Sequence, residues 1–146
     1  MECWKVRFMA KNYECGKLIK QIHDELEKQA NSALASQNLT LTQMRVLMEL
    51  EFVPERQLSL KELESVLHVA QSTAAGIVVR LEQKGYVESF VDANDHRVKR
   101  VAITASGIEC CKNAQSHIKN MEAQLLSKLT ETEKNQFCNL LQKICT

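Results

Sequence analysis

Residues 59 to 88 read SLKELESVLHVAQSTAAGIVVRLEQKGYVE. Ser59 and Glu62 have the spacing of a capping box, and behind them Leu60, Leu63 and Leu67 recur at i, i+3 and i+7, which predicts a short helix ending near His68. A few residues later Ala74, Ile77, Val78 and Leu81 fall on one arc of a second helix. Lys84 and Gly85 close that helix with a basic last turn and a glycine terminator. Two short helices joined by a tight turn make a helix-turn-helix. The period then changes from helical to alternating: YVESFV and RVKRVAI are rich in β-formers, with the polar loop DANDH between them, which predicts a β-hairpin. Together these segments form a winged helix-turn-helix, roughly Thr40 to Ile103.

Working outward, Leu18, Ile19, Ile22, Leu26, Ala30 and Ala33 recur at helical spacing and predict one long amphipathic helix from about Lys11 to Ser36. Thr40 and Gln43 form a further capping box ahead of Val46, Leu47 and Leu50, the buried stripe of the next helix. On the far side, Thr104 caps a long helix to about Leu129, and Thr130 with Glu133 opens a last helix to Ile144. The fold class is therefore mainly α with a small β-hairpin. Residues 39 to 104 form the winged lobe, and residues 1 to 38 and 105 to 146 form a helical region flanking it. Both flanks carry an apolar stripe that the small lobe cannot cover, which suggests pairing with a second copy.

Composition narrows the function classes. With 45% apolar and 25% charged residues the chain has the make-up of a folded soluble protein. Its formal net charge of +1 gives no global case for a polyanionic partner, so any such case is local. No apolar run approaches the roughly 20 residues that span a bilayer, and MECWKVRFMAKNYE is too charged for a signal-peptide core, so the expected location is cytoplasmic, with no membrane partner. Six cysteines (Cys3, Cys15, Cys110, Cys111, Cys138, Cys145) form no CxxC pair and no zinc spacing, and read as free thiols. No acid/base motif accompanies Cys110 or Cys111, so neither catalysis nor a cofactor or metal is expected.

In a helix-turn-helix the second helix enters the DNA major groove. With Ala74, Ile77, Val78 and Leu81 inward, Ser72, Ala75, Gly76, Val79 and Arg80 face outward and Gln71 and Thr73 lie on the flanks. Gln71, Ser72 and Thr73 can hydrogen-bond base edges or phosphates, small Ala75 and Gly76 permit close approach, and Arg80 suits a phosphate or a guanine. The same face also reads as ordinary solvated helix. In the hairpin, Arg97, Lys99 and Arg100 read either as an edge charged against aggregation or as groups for the neighbouring minor groove, where negative potential attracts arginine.

The chain resembles the MarR family of bacterial transcriptional regulators along essentially its whole length. The resemblance is carried by LTLTQMRVLMEL (39 to 50), by the segment 59 to 88, and by DANDHRVKRVAITASG (92 to 107), where Asp95, His96 and Arg97 stand at the family's Asp-x-Arg wing core. It implies a homodimer with interlocked terminal helices, whose two lobes bind double-stranded palindromic operator DNA. It further implies a repressor released by a small ligand or an oxidant. Arg97 would be the minor-groove arginine, and Asp95 the acidic partner that orients the wing. His96 stands where the family often has Arg, and Ala70 where a Ser or Asp cap often opens the recognition helix. Residues 59 to 104 are electrically balanced: six basic residues (Lys61, Arg80, Lys84, Arg97, Lys99, Arg100) stand against six acidic ones (Glu62, Glu64, Glu82, Glu88, Asp92, Asp95). That balance predicts modest nonspecific affinity and reliance on two copies.

The resemblance places an effector pocket between the flanking helices and the lobe, which makes His23 and Arg45 candidates for a phenolic or other anionic ligand. A thiol sensor built on Cys15, near the place of the family's peroxide-sensing cysteine, is an alternative. So is a winged helix that binds another protein and does not read DNA.

Overall fold

The computed structural model describes residues 14–146. Helix α1 (Cys15–Leu34) runs through a 3-10 turn (Ala35–Gln37) into α2 (Leu41–Phe52). A second 3-10 turn (Pro54–Arg56) leads to strand β1 (Gln57–Ser59), then α3 (Leu60–Leu67) and α4 (Gln71–Gln83). Strands β2 (Val87–Val91) and β3 (Lys99–Ile103) precede α5 (Ala105–Leu125) and α6 (Glu131–Cys145). No helix among the described residues is long and apolar enough to cross a membrane.

The expected element order holds, with two differences. The hairpin is part of a three-stranded antiparallel sheet, because β1 adds to β3 with Leu58 opposite Val101, giving the order β1-β3-β2. Helix α5 stops at Leu125 rather than near Leu129, because the chain tightens into i to i−3 turns there: the Ser127 amide and hydroxyl both donate to the Gln124 carbonyl, and the Leu129 amide to Leu126. The expected start of the first helix at Lys11 lies outside the described residues.

Local chemistry explains the boundaries. All three capping boxes form: the side-chain oxygens of Thr40, Ser59 and Thr130 accept from the N–H of Gln43, Glu62 and Glu133, whose side chains return to the cap amides. The Ser59 N–H and hydroxyl hold the Glu62 carboxyl below the usual carboxylate range. Between α3 and α4, His68 takes the left-handed conformation at φ 53°, so the chain turns within three residues and α4 packs across α3.

The core lies inside the lobe. Val46, Leu47, Leu50, Leu63, Leu81 and Val101 have no exposure, and Ala74, Ile77 and Val78 of α4 join them. Each fully buried leucine contributes about 1.5–3 kcal/mol. Cys111 and Ala114 of α5 enter the same cluster, which fastens the lobe to the flanking helix. At that seam Gly107 is obligatory, since a Cβ there would stand 2.3 Å from the Tyr86 carbonyl oxygen. A second tie is polar. The Lys84 ammonium, at the end of α4, donates to the Asn38 carbonyl and, at 3.0 Å, to buried Gln43, whose side-chain oxygen also accepts from the Thr40 amide.

Candidate nucleic-acid interface

Helix α4 turns its Ala74, Ile77, Val78 and Leu81 edge into the core, and the opposite edge is open. Gln71, Ser72, Thr73, Gly76, Val79 and Arg80 are exposed, while Ala75 is half-buried because it sits toward the flank of that edge. Gln83, not singled out from the sequence, shares the open edge at the helix's C-terminal end; continuing the 100° rotation one turn further finds it. No side chain caps the first turn of α4. Its leading amides therefore present the positive end of the helix dipole outward.

Beyond α4, the wing loop is organised by one carboxylate. Asp92 Oδ1 accepts from the amides of Asn94 and Asp95 at 2.8 and 3.1 Å, and Oδ2 accepts from Arg100 Nε. The Asp92 amide in turn donates to the Val98 carbonyl at 2.9 Å, closing the loop at its base. The Arg100 guanidinium holds the Asp92 carboxyl below its ordinary range, and Asp92 raises Arg100. Glu62 and Glu55 also bear on Arg100, so its charge is turned back onto the lobe. This pairing was not legible as a pair among the five charges of residues 92 to 100.

The other wing charges face out. The Arg97 side chain is 92% exposed, and its only described partner is Asp95, whose Oδ1 accepts from the Arg97 amide at 3.0 Å and from Nε at 3.2 Å. An exposed pair of this kind contributes little to stability. Its effect is to preset the direction of the arginine. His96 and Lys99 are exposed beside it. The fold thus leaves open both the outward face of α4, polar with the single cation Arg80, and the cationic tip of the wing that follows it in the chain.

The residues expected to sense an effector are not gathered into one site. Cys15 is exposed on the first turn of α1 and Arg45 is exposed on α2. His23 is exposed on α1, 3.8 Å from Glu27. His23, Asp24 and Glu27 lie within 4.8 Å of one another, but Asp24 is already engaged by Lys20 at 2.8 Å. A cleft of about 280 Å³ opens elsewhere, lined by Gln37, Tyr86, Ser106, Glu109, Cys110 and Asn113. Those residues come from the 3-10 turn after α1, the turn after α4 and the first turns of α5. Burial pushes the thiol of Cys110 up, and that of Cys111 up to about 12, so both are held as neutral thiols at pH 7.

Comparison with known proteins agrees with this geometry. Residues 37–98 match the model of the MarR family. Over 128 residues the chain is 27% identical to the transcriptional repressor MprA of Escherichia coli K12, covering 88% of this chain and 73% of that one. A solved structure of mutant MarR from E. coli complexed with operator DNA superposes with a TM-score of 0.83 at 25% identity, covering 92% of this chain and 95% of that one. The MepR–DNA complex of S. aureus also reaches 0.83, at 27% identity, covering 92% and 98%.

Proposed function

The chain belongs to the MarR family of transcriptional regulators, and on that premise we propose that it is a homodimeric repressor whose lobes, residues 39 to 104, bind a palindromic operator. Residues 1 to 38 and 105 to 146 supply the pairing surface. What supports the pairing is the uncovered apolar edge of α6, where Leu140 is 60% and Ile144 71% exposed, together with exposed Leu18 and Ile19 on α1. Two lobes related by a two-fold axis address half-sites about one helical turn apart.

The observation that carries DNA binding is Arg97, projecting at 92% exposure from a loop whose hydrogen bonds fix its direction. It enters the minor groove while the open edge of α4 lies in the adjacent major groove. Arg97→Ala removes no buried contact, so it is expected to leave the melting temperature unchanged and to weaken operator binding by about 10- to 100-fold, equivalent to about 1–3 kcal/mol. Fluorescence anisotropy with an operator fragment from genomic binding-site mapping measures this. Undiminished affinity would instead favour a winged helix that binds protein.

Release of DNA is assigned to a small molecule in the cleft between Gln37, Tyr86 and the first turns of α5. A ligand there lies against both the lobe and the flanking helix, so its volume bears on the angle between them. The burial of Cys110 and Cys111 favours ligand binding over oxidation as the trigger at this place.

A further inference from the structure

Two residues on the open edge of α4 are poor choices for the helix that holds them. Gly76 lies inside the helix without a positive φ, is exposed, and a Cβ built on it meets nothing within 4 Å. Alanine would fit there and would favour the helix, so nothing among the described residues calls for glycine. Val79, on the following turn, is 46% exposed and β-branched, a weaker helix former than the alanine or lysine that a solvated face favours. At roughly 100° per residue, Ser72, Gly76 and Val79 all lie within about 30° of the pole opposite the core edge. The local cost is therefore concentrated on the part of the helix that points away from the protein.

We propose that Val79, standing beside the gap at Gly76, is a specificity-determining residue that reads the C5-methyl groups of thymines on the floor of the major groove. This rests on the operator-binding reading above and deepens it. Thymine methyls are the apolar groups that the major groove offers, and an isopropyl group is their chemical complement. The missing side chain at Gly76 lets the helix backbone approach the base edges, which brings Val79 within contact of a methyl. The polar neighbours divide the remaining work: Ser72 and Thr73 present hydroxyls to base edges or phosphates, and Arg80 presents a cation. A lone exposed valine on a solvated face is common. Its pairing with a glycine that no contact among the described residues requires is what points to an external surface.

The test uses the full-length protein and a duplex that it selects from a random pool. Each thymine of one half-site is replaced in turn by deoxyuridine, which deletes the methyl alone. At one or two positions the affinity of the unaltered protein is expected to fall by ~4-fold, the worth of one buried methyl. Val79→Ala is expected to lose that sensitivity at the same positions. Gly76→Ala is expected to raise the melting temperature while lowering operator affinity, two changes of opposite sign that a merely structural glycine would not give. The proposal is overturned if the selected duplex is bound specifically but no thymine responds to loss of its methyl, or if Val79→Ala keeps the full sensitivity, or if Gly76→Ala binds as tightly as the unaltered protein. Failure to enrich any duplex would instead overturn the operator reading itself, and this inference with it.

Discussion

The lobe and helix α6 are made from the same materials, leucines and isoleucines at helical spacing behind a Ser or Thr capping box, but only the lobe covers them. Leu47, Leu50, Leu63 and Leu81 have no exposure, whereas α6 contains no buried residue. Neighbours make the difference. Three helices and a sheet enclose the lobe, while α6 has no extensive contact with another described element. A 15-residue helix is marginal in water by itself, so the cap at Thr130 sets where α6 begins and packing must come from another surface. Apolar periodicity reports which side of a helix is to be covered. It does not report whether its own chain does the covering.

The contrast breaks most directly at its extremes. Leu47→Ala is expected to destabilise the lobe by about 2–5 kcal/mol in denaturant titration, through lost transfer energy and a cavity. Leu140→Ala is expected to leave that unfolding free energy within about 0.5 kcal/mol while weakening self-association in sedimentation. Equal losses from the two truncations would erase the distinction.

Glycines give a sharper version of the same comparison. Gly107→Ala forces a Cβ to 2.3 Å from a backbone carbonyl at the seam between lobe and α5, and is expected to cost about 1–3 kcal/mol. The seam would prove slack if thermal melting showed no loss.

The smallest effect is confined to the wing. Arg100 lowers the Asp92 carboxyl, so the unfolded chain takes up this proton more readily than the folded one. The stabilisation is complete above the ordinary value of 3.8 and is lost as the pH falls through the lowered folded value. Amide exchange at Asp95 and Val98 is therefore expected to stay slow at neutral and weakly acid pH and to quicken in strong acid. Asp92→Asn is expected to remove this dependence. A pH-independent loop in the unaltered protein would mean that the carboxylate does not close it.

What could be read beforehand follows the range of the interactions. The capping boxes at Thr40, Ser59 and Thr130 and the edge of Ala74, Ile77, Val78 and Leu81 are local patterns, and all of them stand in the structure. Strand β1 escaped because three residues after Pro54 are too few to show alternation, and its pairing with β3 spans more than forty positions. Asp92 and Arg100 escaped for a different reason. Any of the wing's acids could pair with any of its bases, and only loop geometry selects this one. The cleft could not be foreseen, since it joins Gln37, Tyr86 and Cys110 from three distant segments. The outward residues of α4 were legible as exposed, yet the significance of Gly76 emerged only once the space around it was known.

The tie made by Lys84 also acts in time. It reaches back 46 residues to Asn38 and 41 to Gln43, a costly loop closure that is expected to come after the folding barrier. Contacts completed after the folding barrier slow unfolding without hastening folding. Lys84→Met is accordingly expected to steepen nothing on the refolding limb in stopped-flow experiments and to raise the unfolding rate alone. The same ammonium that steadies the end of α4 would then lengthen the life of the folded lobe, a kinetic safeguard that equilibrium affinity would not reveal.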